Sequence, residues 1–298
     1  MRKLFVSGIL VALSIAAPAA QQQLQVLATI VDGAGQPAAA LAPEDVRVTE
    51  NGTTAKVVKV EPVDKRVTLQ ILLDNGVGLG SENLLHLRNG VRGLIEKLPE
   101  GLEVTIVTTA PQPRFLVRAT TDRQALLQGV DRIAPDSGAG RFVESLNEAT
   151  QRIQREKSDT APIIISAATT GGDNDVRERD VEQMMKRLQE RPTTVHVVLL
   201  SGPAGRSSGG GAVQTNVGLA VTEMTRGKYE GINAGTRLST LLPEWGDIVA
   251  TAAKQQSRQY RLFVERPAGL SGELGQLGLG ITKPGLTVAS VMLEPTRR

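Results

Sequence analysis

The run Val67-Thr68-Leu69-Gln70-Ile71-Leu72-Leu73, with Asp74 directly after it, decides the fold. It is rich in β-forming residues and almost wholly apolar, so it predicts a strand that is covered on both faces. A helical pattern follows, with apolar residues at helical spacing from Leu84 to Leu98. A buried strand that leads into a helix is typical of a sheet built from parallel crossovers.

The same alternation continues along the chain. Apolar strands are predicted at 104–107, 163–166 and 195–200, an edge strand at 114–118, and helices between them, one of them capped by Asp122. We therefore predict that residues 66–255 form an α/β domain with a doubly wound, mostly parallel, Rossmann-like sheet. Its binding edge should lie at the carboxyl ends of the strands, near Asp74, Thr108, Ala167 and Ser201.

Both ends of the remaining chain have β character. Residues 46–50 alternate with period two and meet Asn51-Gly52, the strongest short hairpin signal. Near the other end, strands are predicted at 259–265, 278–282 and 286–293. We expect the N-terminal segment (21–65) and the C-terminal segment (256–298) to pair into one small β subdomain.

The first twenty residues resemble an export signal. Arg2 and Lys3 precede an apolar run that is too short for a spanning helix, and Ala17-Pro18-Ala19 fits a cleavage site. No later stretch is long and apolar enough to cross a bilayer. We expect residues 1–20 to be removed and the mature protein to be soluble, in the periplasm or outside the cell.

Composition excludes several functions. With no Cys and only 2 His, the chain cannot build a thiolate zinc site or a three-histidine metal site. Aromatic residues make up 2% of the chain and the formal net charge is +3, of which two charges lie in the first twenty residues. These values argue against a nucleic-acid partner.

Two glycine motifs suggest catalysis or cofactor binding only weakly. Gly76-Val77-Gly78-Leu79-Gly80 has Ser81 at the third fingerprint position, and no acidic residue ends the next strand, so a dinucleotide site is not favoured. The range 205–209 matches G-x-S-x-G, but it lies in a Gly/Ser-rich loop. His86 and His196 both precede it and are interpreted as structural residues. We predict no enzymatic activity and no cofactor.

An oxygen-rich segment, Asp173-Asn174-Asp175, follows the predicted strand 163–166. Such a loop could bind Ca²⁺ or Mg²⁺, but a bidentate glutamate at the required distance is missing. A helix N-cap cluster is the favoured interpretation.

Several short sequence segments resemble segments of one protein family. The range 41–52 resembles an opening hairpin, 67–74 a first domain strand, 121–127 a helix start and 257–262 a closing strand. In this order they resemble the von Willebrand factor type A domain, and the mature chain resembles the bacterial exported proteins related to it. The resemblance implies binding rather than catalysis.

Type A domains commonly carry a metal-ion-dependent adhesion site, with D-x-S-x-S after the first strand, a Thr from a second loop and an Asp after the fourth strand. In this chain Asp74 is kept, but Gly76 and Gly78 occupy the serine positions. Gly140 falls near the Thr position and Ala167 near the last Asp position. Neither has a side-chain oxygen, so the resemblance leads us to predict a degenerate, metal-free site.

The sequence thus predicts a metal-independent interaction or scaffold module with an unidentified protein partner. The residues expected at its interaction edge are Asp74, Asn75, Gly76, Gly78, Gly140, Arg141 and Asp173. The alternative is a divalent-metal-dependent adhesin or ligand-binding protein that rebuilt its site from Asp74, Asp173 and Asp175.

Overall fold

The computed structural model describes residues 23–156, 160–191, 193–201, 210–267, 269–270 and 273–293. The expected signal peptide and the G-x-S-x-G match lie outside this part of the chain. No helix in the described part has the length and apolarity to cross a bilayer.

Strands and helices alternate through the middle of the chain, while its two ends are all β. The strands are β1 (Gln23–Asp32), β2 (Val46–Glu50), β3 (Thr53–Asp64), β4 (Arg66–Leu73), β5 (Glu103–Thr108), β6 (Arg114–Thr120), β7 (Thr160–Thr169), β8 (Thr194–Leu200), β9 (Tyr229–Ile232), β10 (Arg258–Glu265), β11 (Leu277–Ile281) and β12 (Leu286–Leu293). The helices are α1 (Leu84–Lys97), α2 (Arg123–Asp131), α3 (Phe142–Arg155), α4 (Glu178–Glu190), α5 (Gly210–Thr225) and α6 (Leu238–Ser257).

The first sheet has the strand order β6-β5-β4-β7-β8-β9. Its strands pair in parallel, except that β6 runs antiparallel to β5 at the edge, so the sheet is mixed. Helices α1, α2 and α6 pack on one face, against residues such as Ile71. Helices α3, α4 and α5 pack on the other, against residues such as Leu72. This double coverage explains why the strands are apolar throughout.

The second sheet joins the two ends of the chain, with the order β11-β2-β3-β10-β1-β12. All of its strand pairs are antiparallel. The expected pairing of the terminal segments is therefore confirmed. Its size was underestimated, because this sheet contains as many described strands as the first. Alternate residues of β1 and β10, such as Val26 and Leu262, form its own core.

Local sequence signals explain two of the boundaries. Asn51 and Gly52 have φ values of +48° and +79°, the left-handed conformation that a tight hairpin between β2 and β3 requires. Asp122 caps α2, since its Oδ1 accepts hydrogen bonds from the backbone N–H groups of Gln124 (2.9 Å) and Ala125 (3.1 Å).

The two sheets are joined at the amino end of β4. Lys65 alone separates β3 from β4, and α6 runs directly into β10. The backbone N–H of Lys65 donates to the carbonyl of Ser257, 2.8 Å away, which ties the two connections together. The antiparallel sheet therefore lies at the amino ends of the parallel strands, and their carboxyl ends face away from it.

Candidate functional site

The candidate site is the carboxyl edge of the parallel sheet, where Asp74 follows β4 directly. Three segments meet there: the turn after Asp74, the residues before α3, and the end of β7 with the loop behind it. Parallel strands end at the same edge, so loops far apart in sequence are brought together.

The Asp74 carboxylate lies at the centre of this edge and is buried, with 2% of the residue exposed. Its Oδ1 accepts a hydrogen bond from the N–H of Gly76 (2.8 Å), and its Oδ2 accepts one from the Thr169 hydroxyl (2.6 Å). Burial raises the pKa of Asp74, and the two hydrogen bonds oppose that rise only in part. Both oxygens of the carboxylate are thus already hydrogen-bonded to groups of the protein itself.

Glycines close the space around this carboxylate. A Cβ added to Gly140 would lie closer than 3.0 Å to all three atoms of the Asp74 carboxyl group. A Cβ on Gly76 would be equally close to the Gly138 carbonyl oxygen, and one on Gly78 would be that close to the Thr169 hydroxyl. At each of these positions a neighbouring loop occupies the space that a side chain would need.

Asn75 joins the loops from the inside. It is 7% exposed, its Nδ2 donates to the carbonyl of Ala134 (2.8 Å), and its Oδ1 accepts from the N–H of Ala110 (3.3 Å). Its own carbonyl accepts from the N–H of Asp136 at 2.8 Å. Through these hydrogen bonds Asn75 connects the loop at Ala110 with the loop at residues 134–136, and it is not an exposed contact residue.

Arg141 and Asp173 lie farther out. The Arg141 guanidinium is 3.6 Å from an Asp173 carboxylate oxygen and 3.4 Å from one of Glu144. The N–H of Asp173 donates to the Gly140 carbonyl (3.0 Å), while 60% of its side chain is exposed. Val77 is also exposed, at 61%. The outer layer of the edge thus includes an exposed apolar side chain and an ion pair.

The predicted site residues thus divide into two layers. The structure buries Asp74, Asn75, Gly76 and Gly140, and leaves Gly78, Arg141 and Asp173 at least partly accessible. None of residues 173–175 caps α4, which begins at Glu178 with Arg177 at its N-cap position, whereas Oδ1 of Asn174 accepts a hydrogen bond from the Val143 N–H in the first turn of α3 at 3.4 Å.

Thr169 was missed as a site residue. It ends β7, two residues beyond Ala167, and supplies the side-chain hydroxyl that contacts Asp74. A hydroxyl residue at the carboxyl end of a largely apolar strand is the signal that could have identified it. Gln214 was missed as well: it is fully buried beside Gly172, and its amide has no hydrogen-bond partner in the described structure.

Oxygen donors for a cation are sparse at this edge. Within the described residues, no three His, Asp or Glu side chains converge as a metal ion would need. Asp74 is one carboxylate with one hydroxyl beside it, and Asp173 is paired with Arg141 instead.

One serine and one histidine do come together, away from this edge. Nδ1 of His86 in α1 is 3.2 Å from the Ser239 hydroxyl in α6. Sequence reasoning could not identify this pair, because 153 residues separate its members. The same hydroxyl lies 3.3 Å from the His86 carbonyl oxygen, an acceptor for its proton. The described residues show no carboxylate hydrogen-bonded to this imidazole, so the arrangement matches a contact between helices.

Comparison with known proteins finds a family model that matches part of the chain. The family model of the von Willebrand factor type A domain matches residues 69–169, which run from β4 to the end of β7. No curated protein matches the sequence.

One solved structure shares the fold, and two others align with lower TM-scores. A von Willebrand factor type A protein from Catenulispora acidiphila aligns with a TM-score of 0.53 at 13% identity, over 93% of this chain and 74% of that one. The conserved hypothetical protein BatB from Bacteroides thetaiotaomicron aligns with a TM-score of 0.47 at 16% identity, over 62% of this chain and 98% of that one. Proximal thread matrix protein 1 from the mussel byssus aligns with a TM-score of 0.48 at 15% identity, over 63% of this chain and 49% of that one. Residues 69–169 of this chain thus match the model of the von Willebrand factor type A domain, and the chain shares the fold of a type A protein.

Proposed function

We propose that the protein is a non-enzymatic, exported interaction module that binds a protein partner at the carboxyl edge of its type A domain without a divalent metal ion. The observation that carries this proposal is the contact between Gly140 and Asp74. The backbone of one loop occupies the space where the adhesion-site pattern requires a hydroxyl side chain.

The donor set does not suit a hard cation. Mg²⁺ needs a nearly octahedral shell of oxygen atoms and gives up its waters reluctantly. Asp74 is the one carboxylate at the centre, and both of its oxygens already accept hydrogen bonds from Gly76 and Thr169. No room remains beside it for further side-chain oxygens, because Gly140 and Gly78 are in close contact with their neighbours.

The rebuilt metal site is not favoured by any contact. Asp173 is 60% exposed and paired with Arg141, whereas Asp74 is buried. Asp175 is exposed, and its backbone N–H donates to Glu144. The three carboxylates therefore occupy different environments and do not share a site.

The outer layer supplies what a protein partner needs. Val77 offers exposed apolar area, and the Arg141–Asp173 pair at the same edge offers charge of both signs. The closed loops hold these groups in fixed positions, which lowers the entropy cost of binding.

The non-enzymatic part of the proposal rests on the described residues. The His86–Ser239 pair does not line the cavity between the two sheets, and no carboxylate among the described residues is hydrogen-bonded to its imidazole. Export rests on the pattern of residues 1–20 alone.

Thermal melting tests the metal-independent part. The melting temperature of the protein should be the same in EDTA as in millimolar Mg²⁺, Mn²⁺ or Ca²⁺, since an ion that bound only the native state would raise it. An upward shift that disappears in Asp74→Ala but persists in Asp122→Ala, which lies outside the edge, would overturn it.

Surface variants test the edge. The immobilised protein is used to capture partners from culture medium and cell extract, together with Val77→Glu and Leu219→Glu, two exposed apolar positions. A partner captured by the wild type and by Leu219→Glu but lost from Val77→Glu supports the proposal. Equal capture by all three would contradict binding at this edge.

A further inference from the structure

Helix α5 directs apolar side chains towards solvent. Of residues 211–225, six are exposed, and four of these are apolar: Ala212, Val213, Leu219 and Ala220. Val213 is 43% exposed and Leu219 is 46% exposed. By contrast, every exposed residue of α4, which packs on the same face of the parallel sheet, is polar. A surface helix of a soluble protein places charged and polar residues on its outer side, so the outer side of α5 has the composition of a contact surface.

The exposed residues of α5 form one stripe along the helix. They lie within about 120° of one another around its axis, because an α-helix turns by about 100° per residue. The residues of the stripe are Ala212, Val213, Asn216, Leu219, Ala220 and Glu223. The opposite side of α5, which includes Val217 and Val221, is buried against the sheet. Glu223 is the one charged residue of α5, and it lies at the C-terminal end of the stripe.

The stripe is complementary to itself when a second copy runs in the opposite direction. Asn216 lies at its middle, with Val213 three residues before it and Leu219 three residues after it. Ala212 and Ala220 lie four residues before and after Asn216. A twofold axis through Asn216, perpendicular to the helix, therefore places Val213 of one copy against Leu219 of the other, and Ala212 against Ala220. Each apolar residue meets an apolar residue, as a contact between two identical surfaces requires.

The charge of the stripe fits the same arrangement. Glu223 lies seven residues beyond Asn216, so the axis places it beside the N-terminus of α5 in the other copy, where the helix begins at Gly210. The N-terminus of a helix carries partial positive charge and stabilises a nearby carboxylate. The two Glu223 residues are about 20 Å apart along the helices, at 1.5 Å per residue. A parallel pair would instead bring these two carboxylates together, and their repulsion disfavours it.

We propose that the protein forms a twofold-symmetric dimer in which α5 packs antiparallel against α5 of a second copy, with Asn216 at the axis. The two Asn216 amides hydrogen-bond to each other there. They fix the register, because a shifted pair would bury each amide against apolar side chains.

The dimer also sets the directions of the two carboxyl edges. α5 begins at this edge, where Gly211 lies close to the carbonyl oxygen of Thr170, the residue after β7. An antiparallel helix pair therefore points the two edges away from each other. The dimer does not depend on the proposed function of those edges, since none of the stripe residues belongs to them.

Sedimentation velocity of the protein tests the proposal. One helix pair is a small interface, at or below the roughly 1,200 Å² at the low end of specific contacts, so we expect a dimer that forms at micromolar concentration. The weight-average mass should rise from monomer towards dimer between about 1 and about 300 μM. A protein that stays monomeric over this range, or that assembles beyond a dimer, would overturn the proposal.

A charged variant locates the contact. Leu219→Glu should weaken dimerisation about tenfold or more, because it places a carboxylate against Val213 of the second copy. Gln183→Glu, at an exposed position of α4, is the matched control and should dimerise like wild type. Val77→Glu should also dimerise like wild type, which separates this contact from the carboxyl edge. Unweakened dimerisation of Leu219→Glu would contradict the site.

A mixture of two variants tests the antiparallel register. When Leu219→Glu is mixed with Val213→Lys, the mixed dimer gains an ion pair at one contact and keeps Val213 against Leu219 at the other. The mixture should therefore dimerise more tightly than either variant alone. No gain on mixing would overturn the register.

Cross-linking at the axis gives a result that does not depend on weakening the dimer. The protein contains no Cys, so Asn216→Cys introduces a single thiol. With a mild added oxidant, this thiol should form a disulfide between two copies much faster than the thiol of Gln183→Cys, the exposed control on α4. Equal rates for the two variants would overturn the proposal, since random collision treats both exposed thiols alike.

Discussion

Gly140 packs against Asp74 so closely that no side chain fits between them: an added Cβ would lie within 3.0 Å of both carboxylate oxygens. The two residues belong to different loops at the carboxyl edge of the parallel sheet. Because of this contact, the Asp74 carboxylate packs against the neighbouring loop, and a ligand cannot approach it from that side.

Gly140→Ala should therefore destabilise the protein. Overpacking a close contact costs about 1–3 kcal/mol, because the backbone must move or the carboxylate must leave its hydrogen bonds. The measurement is the free energy of unfolding in urea. Gly280→Ala is the control, because nothing lies within 4 Å of the Cβ position there and no change beyond about 0.5 kcal/mol is expected. Equal free energies for the two variants would show that the edge is looser than described.

Asp74→Asn should be tolerated and should become more favourable as the pH rises. Burial raises the native pKa of Asp74 above its value in the unfolded chain, about 3.9. Its contribution to stability is thus fully present below pH 3.9 and is lost as the pH rises through the native pKa. Asparagine stays neutral and keeps an acceptor for the Gly76 N–H.

Urea unfolding at pH 4 and pH 8 measures this effect. The difference in unfolding free energy between Asp74→Asn and wild type should shift in favour of the variant at pH 8, while Asp175→Asn, at an exposed position, should show no such shift. A shift in favour of the wild type would mean that the ionised carboxylate is stabilised in the fold.

Local sequence predicted the strands and helices well, because each buried parallel strand needs apolar residues on both faces. It could not predict the approach of Gly140 to Asp74, which depends on where two loops meet after folding. Nor could it place Thr169: β7 pairs with β4 up to Leu73 and Ala167, then continues two residues farther, which brings the hydroxyl to Asp74. Asp173 looked like a helix cap, but α4 starts five residues later.

The buried pair of Glu50 and Arg266 should lose its contribution to stability at low pH, whereas Asp74 loses its contribution at high pH. Nε of Arg266 donates to Glu50 Oε2 at 2.9 Å, its Nη2 donates to Oε1, and the N–H of Gly275 also donates to Oε1 at 3.0 Å. The hydrogen bonds from Arg266 are the main cause that lowers the pKa of Glu50. This contribution to stability is present above the unfolded pKa of about 4.3 and is lost as the pH falls through the native value.

Glu50→Gln should therefore unfold at a lower urea concentration than wild type at pH 7, because the guanidinium loses its charged partner. The difference in urea midpoint between Glu50→Gln and wild type should narrow as the pH falls below about 4. Glu44→Gln, at an exposed position, is the control and should match wild type throughout. A gap that stays constant with pH would show that Glu50 acts by shape rather than by charge.

His196 should remain neutral to unusually low pH. It is 4% exposed within β8, and its Nδ1 accepts a hydrogen bond from the Lys228 N–H at 3.1 Å, so the neutral ring carries its proton on Nε2. Burial is the main cause that lowers the pKa of His196 to about 4, and the Lys228 charge adds to it. Stability from this residue is fully present above the unfolded pKa of about 6.5 and is lost as the pH falls through about 4, on the order of 3 kcal/mol in total.

Proton NMR of the imidazole Cε1–H resonances checks this directly. The two histidines are distinguished with His86→Asn, and the His196 signal should titrate with a midpoint near 4. The urea midpoint of His196→Asn should change less than that of wild type between pH 6.5 and pH 4.5, because the titration of the carboxylates is common to both proteins and cancels in the comparison. A His196 midpoint near 6.5 would mean that water reaches the ring, and the amino end of β8 would then be more open than the packing around His196 indicates.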